Sequence, residues 1–172
     1  MAEPIRITVD DKAVQAALQQ LLARSSDLTR PMADIGEHLT ETTKRRFATS
    51  TGPDGERWAP NTEVTILRYL GAFKSSFTKS GAQSKKGAAR AGAKKPLIGE
   101  TRSLSTTIFY SATRDSVEVG SGMEYAAVQQ FGAKARQFGR APWGDIPPRP
   151  FLGVSPEDTR SILDIVAGYL TP

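Results

Sequence analysis

The sequence predicts an α+β domain: a small, mainly antiparallel sheet packed against two long N-terminal helices and a C-terminal helix, with a long basic loop. Three observations predict it. Apolar residues recur at helical spacing through the first fifty positions. Two runs near residue 112, LSTTIFYS and SVEVG, read as strands around a short link. A Ser-Pro-Glu-Asp segment opens a final apolar run.

Taken in order, Ile5, Ile7 and Val9 alternate with Arg6 and Thr8, which predicts a short strand. Asp10 or Asp11 can then cap a helix whose stripe is Val14, Leu18, Leu21, Leu22 and Leu28. Thr29-Arg30-Pro31 starts a second helix, with Met32, Ile35, Leu39 and Phe47 on its buried side. Its acids come early (Asp34, Glu37, Glu41) and its bases late (Lys44, Arg45, Arg46), which complements the helix dipole. Pro53-Asp54-Gly55 is turn chemistry, and Trp58 is expected to fold back on the core. Leu104–Ser111 and Ser116–Gly120 read as two strands of a hairpin linked by residues 112–115. MEYAAVQQFG reads as a short helix closed by Gly132. Residues 133–150 form an irregular arm rich in Pro, Gly and Arg. Ser155, Pro156 and Asp158 then supply the cap, first position and capping carboxylate of the last helix. Ile162, Leu163, Ile165, Val166, Tyr169 and Leu170 form its apolar side.

The 172 residues suit a single domain spanning the chain. Hydrophobic residues make up 38%, so the core is modest and partner surfaces are expected to complete the burial. With no cysteine there is no disulfide and no thiolate metal site, which fits a reducing compartment. The start, MAEPIRITVDD, lacks a signal-peptide pattern, and no apolar run approaches the ~18 residues of a membrane span. A soluble protein made in the cytoplasm is expected. The net charge of +5 is unevenly spread: Val64–Gly99 holds eight bases and no acid, and the remainder holds 15 bases and 18 acids. The Gly/Ala/Ser/Lys-rich part, residues 73–97, is expected to be a flexible basic loop or arm, because it offers little apolar surface to bury.

Catalytic patterns are missing. The one histidine, His38, has no HExxH or second ligand at helical spacing, and GxSxG, GxxxxGK[ST] and GxGxxG are absent. Neither enzyme activity nor a cofactor or metal is expected. The bases invite contact with nucleic-acid phosphates or an acidic protein face, although a merely solvated loop fits the same composition. Tyr125, Val128 and Phe131 can share one helix face, either in the core or toward a neighbour.

The order GPDGERW, VEVGS, YAAVQQFG and IPPRPFLGVSPED before a terminal helix resembles the phage virion morphogenesis family, the tail-completion proteins of Mu-like and related tailed phages. The resemblance runs from about Asp34 to Leu170. That family usually carries a histidine inside the tyrosine-to-glycine motif, where Gln129-Gln130 stands here, a departure that also argues against catalysis. The resemblance implies a non-enzymatic subunit without cofactor, placed at the virion's head–tail junction. It implies a homo-oligomeric ring around the DNA channel, taken as hexameric, that meets other neck, connector or tail-tube proteins. On that reading Tyr125, Gln130, Phe131, Arg149, Pro150 and Phe151 are expected at the subunit interface, with Phe151 in a neighbour's pocket and Arg149 on a neighbour's acid. Prolines keep such an arm extended at low entropic cost, although it could equally cross its own subunit. Lys85, Lys86, Arg90, Lys94 and Lys95 are expected to line the DNA channel. The alternative from another class is a basic nucleic-acid-binding accessory protein, monomeric or dimeric. A small hydrolase with an unrecognised site is the third reading.

Overall fold

A computed structural model describes residues 12–137 and 144–171. The expected strand at Ile5–Val9 and the helix-capping Asp10 or Asp11 lie outside the described residues. Helix α1 spans Lys12–Ser25 and α2 spans Thr29–Thr49. Then come α3 (Glu63–Gly71), a 3-10 turn at Lys74–Ser76, α4 (Lys85–Ala93) and a helical turn α5 (Ser103–Thr106). Strands β1 (Ile108–Ala112) and β2 (Val117–Ser121) precede α6 (Ala126–Phe131) and α7 (Pro156–Leu170). The mixed helix and sheet content is the α+β class expected.

The strands pair antiparallel, with Ile108 opposite Ser121 and Ala112 opposite Val117. Side chains alternate across a strand, so Ile108, Tyr110 and Ala112 share one face with Val117 and Val119. That face lies toward α2, the helix with the most contact to the hairpin. Gly36 makes the approach possible, because a Cβ there would overlap the Tyr110 ring.

The core is small. Phe47 stacks edge-on to Trp58, with ring centroids 5.3 Å apart, and lies 5.4 Å from Phe151. Leu104, Ile108 and Ala126 complete the cluster. Trp58 folds back as expected and donates its indole N–H to the Pro150 carbonyl at 2.7 Å. Strand β1 starts later than expected: Leu104–Thr107 takes a helical turn, closed by the Thr107 N–H on the Ser103 carbonyl at 3.0 Å. Hydroxyls of Ser105, Thr106 and Thr107 also bond carbonyls of that turn, the usual way Ser and Thr compete with a ladder.

The largest departure concerns residues 73–97. The stretch is not a loop throughout. Ser84 caps α4 by accepting from the Gly87 N–H at 3.0 Å, and its alanines, lysines and arginine favour helix. The apolar surface comes from Tyr69, Leu70 and Phe73 at the end of α3, a helix the sequence reading passed over. Leu70 is fully buried, and Tyr69 meets Phe73 edge-on at 5.2 Å. The bases themselves pack: Arg90 lies 4.6 Å over the Phe73 ring and Lys94 lies 4.8 Å over Tyr69. Helices α3 and α4 and the turn between them therefore form a basic lobe around their own small core.

Helix α7 starts as the sequence says. Ser155 accepts from the Asp158 N–H while the Asp158 carboxylate accepts from the Ser155 N–H, closing a capping box. Asp158 also takes the Arg46 guanidinium at 2.6 Å and the His38 Nε2 at 3.1 Å. Arg46 donates further to the carbonyls of Phe151 (3.0 Å) and Gly153 (2.8 Å). Burial of Asp158 opposes its ionisation. The Ser155 N–H and hydroxyl, Thr42 and the Arg46 charge outweigh that and hold its carboxyl below the usual 3.8. Its stabilisation is therefore complete above that usual value and is lost as pH falls through the lower folded-state value. Asp158→Asn is expected to destabilise by about 3 kcal/mol at pH 7 and to flatten the acid limb of a stability–pH curve, read by denaturant titration.

Candidate assembly interface

Phe151 is 0% exposed and lies against Phe47 in its own subunit. The expectation that it docks into a neighbour is thus corrected. The arm crosses its own subunit, because Phe47, Trp58 and Leu104 already form an apolar seat for the ring. Arg149 is corrected too. Its guanidinium is buried and donates to the carbonyls of Ala59 and Pro60, each at 2.8 Å, and burial pulls its pKa below that of a free guanidinium. Among the described residues no carboxylate forms an ion pair with it. Pro150 is half-buried, its carbonyl taken by Trp58.

Gln130 is likewise an internal clamp. Its side-chain oxygen accepts from the backbone N–H groups of Phe151 (2.9 Å) and Leu152 (3.1 Å), and its amide donates to the Leu152 carbonyl at 2.9 Å. One glutamine thus gathers two consecutive N–H groups and fixes the bend at Leu152 and Gly153 against α6. The sequence could have signalled it: a polar residue beside Ala126 on a short helix, followed by a proline-rich segment whose N–H groups need acceptors. Gly132 keeps the positive φ expected of it, +76°, with a ψ of 177°, a region open to glycine. This conformation lets Ala133 pair with Ile146, at 2.9 and 2.8 Å.

Tyr125 and Phe131 remain open, and Phe131 at 77% is the most exposed large hydrophobic residue described. It is followed by Lys134 and Arg136, both exposed. Helix α1 presents Val14, Leu18, Leu21 and Leu22 to solvent, Leu22 at 70%. It is fastened near its C-terminus, where Arg24 donates to the carbonyls of Tyr169 (3.1 Å) and Thr171 (2.6 Å). A helix of this length is marginal in water without a packed face. On α7, Leu163 is exposed rather than buried as expected.

The expected channel residues divide. Lys85 and Lys86 are exposed in the first turn of α4, where the helix dipole disfavours cations. Arg90 is held over Phe73 and by the Ser75 hydroxyl at 2.9 Å. Lys94 donates to the Ile98 carbonyl, and Lys95 to the Ala48 carbonyl at 2.6 Å. These three cations position the lobe. Among the described residues no group of three or more His, Asp or Glu could hold a metal, and no helix is long and apolar enough to cross a membrane.

Phe151→Ala is expected to lower monomer stability by about 3–5 kcal/mol, visible as earlier thermal melting of the unassembled chain. Gln130→Ala, which strands two backbone donors, is expected to cost about 1–3 kcal/mol in the same measurement.

The model of the phage virion morphogenesis family matches residues 9–171. The chain is 38% identical over 74 residues to "Mu-like prophage FluMu G protein 2" of Haemophilus influenzae, a match covering 43% of this chain and 51% of that protein. It thus spans about half the length of that relative. No solved structure matches. With a match that takes in every element described, from α1 to α7, the chain belongs to the phage virion morphogenesis family.

Proposed function

We propose that this chain is a non-enzymatic neck or tail-completion subunit that forms a homo-oligomeric ring, hexameric by the symmetry of such tails, at the head–tail junction around the DNA channel. Its neighbours would be connector or tail-tube proteins. Family membership carries the assembly role. The observation that carries the ring is open apolar surface: the α1 stripe, Tyr125 and Phe131, and Leu163 on α7 are all exposed, while only eight hydrophobic residues are buried among the described residues. A monomer leaves such faces wet at a cost of about 25 cal/mol per Å², and neighbouring copies would cover them.

The basic lobe supports a DNA-facing role for Lys85 and Lys86, whose ammonium groups have no hydrogen-bond or ion-pair partner described. Phosphate contacts of this kind read no sequence and fit a channel lining. The same lobe keeps the second reading in view, a basic accessory protein that binds nucleic acid as a monomer or dimer.

Native mass spectrometry with negative-stain imaging separates the two. A closed ring with a central hole is expected. A protein that stays monomeric or dimeric at every concentration while binding DNA would overturn the ring in favour of the accessory reading. Replacing Lys85 and Lys86 by alanine is expected to reduce the salt slope of random-DNA binding by about two, since each phosphate contact contributes about 0.9. An unchanged slope would remove these lysines from the channel.

A further inference from the structure

Two surfaces on separate parts of the fold carry complementary features. The first is a knob at the end of α6: Phe131, exposed, with Lys134 and Arg136 exposed just beyond it. Between Phe131 and Asp145 the sequence has three bases and no acid. Lys134 reaches Asp145 at 3.0 Å, but both side chains are largely solvated, so the pair is weak. Arg136 has no polar partner among the described residues.

The second is a socket where α2 meets β1, a cavity of about 520 Å³ lined by Glu37, His38, Thr40, Glu41, Lys44 and Tyr110. Glu37 and Glu41 are exposed and form no ion pair among the described residues, and Asp34 continues the same helix face. Lys44 is the opposing charge at the rim, and the His38 Nε2 is occupied by Asp158. The Thr40 hydroxyl, on the same wall, is buried and has no hydrogen-bond partner among the described residues, a state that costs about as much as a lost hydrogen bond. The Tyr110 ring, seated on Gly36, offers an apolar side. A cavity of about 150 Å³ already accepts a benzene-sized ring, so this one has room for a phenylalanine and the end of an arginine.

Resting on the ring reading above, we propose that the Phe131 knob of one copy docks into the Glu37–Glu41 socket of the next, with Phe131 against Tyr110 and Arg136 on the carboxylates. Charge selects this socket over the larger apolar cleft beside α3. That cleft carries Arg68, Lys94, Lys95 and Arg149 against one acid, Asp145, and its net positive charge would repel the bases flanking the knob. Knob and socket are different patches, so the contact is head-to-tail, the type that closes rings. An aromatic anchor with an arginine beside it is the composition that dominates interface energies.

The test is photo-crosslinking of the full chain with p-benzoylphenylalanine at position 131, paired with native mass spectrometry of the wild type. Crosslinks from 131 to residues 34–44 or 110 of a second copy are expected. Glu41→Arg is expected to weaken assembly about tenfold or more, and Arg136→Glu in the same chain to restore most of it. Assembly with crosslinks elsewhere, or with the Glu41→Arg loss unrelieved by Arg136→Glu, overturns this contact and leaves the ring standing. A wild type that never assembles defeats the ring reading and this contact with it.

Discussion

The buried carboxylate of Asp158 is the contact on which the rest of the structure depends. It caps α7, receives Arg46 from α2 and meets His38 one face away. Arg46 in turn holds the carbonyls of Phe151 and Gly153, so three stretches distant in sequence are fixed around one ion pair. A buried pair of this kind does little for stability against a well-packed apolar alternative, but losing one partner leaves the other uncompensated. Its consequence is register. It sets where α7 begins and how the proline-rich arm enters, and Phe151 is thereby aimed at Phe47.

The arm itself shows how stiffness is used. Its prolines remove backbone donors and hold φ, and the donors that remain are met one by one: Arg149 by the Gln129 carbonyl, Phe151 and Leu152 by the Gln130 side chain. The end of the arm is thus held by acceptors on α6. What it leaves outside is the far end of α6, where Phe131 points away from the clamp. The internal clamp and the outward aromatic are neighbours in sequence, which is why the same motif can serve both the subunit's core and its surface.

Much of this was legible in the sequence where a local rule decides. The α7 cap, the α2 face with Ile35 and Phe47, the hairpin and the return of Trp58 all follow from spacing, caps and turn residues. What was not legible depended on distant partners. Nothing local says that Phe151 finds its pocket in its own subunit, since the seat is made by Phe47 and Leu104. The basic lobe was missed for a related reason: its apolar support sits before the lysine-rich run, in Tyr69, Leu70 and Phe73, and Arg90 and Lys94 pack as amphipathic side chains over rings. The open faces of α1 and α6 were visible as stripes, but exposure could be assigned only once the fold showed what stays uncovered.

The central claim is that this chain is a structural part of the particle, placed where head and tail join. The most direct measurement is labelling of intact, purified virions assembled with a tagged copy of the chain, imaged by electron microscopy. Label confined to the head–tail junction is expected. Virions that lack the chain altogether, with the tagged protein left behind in the assembly lysate, would contradict it.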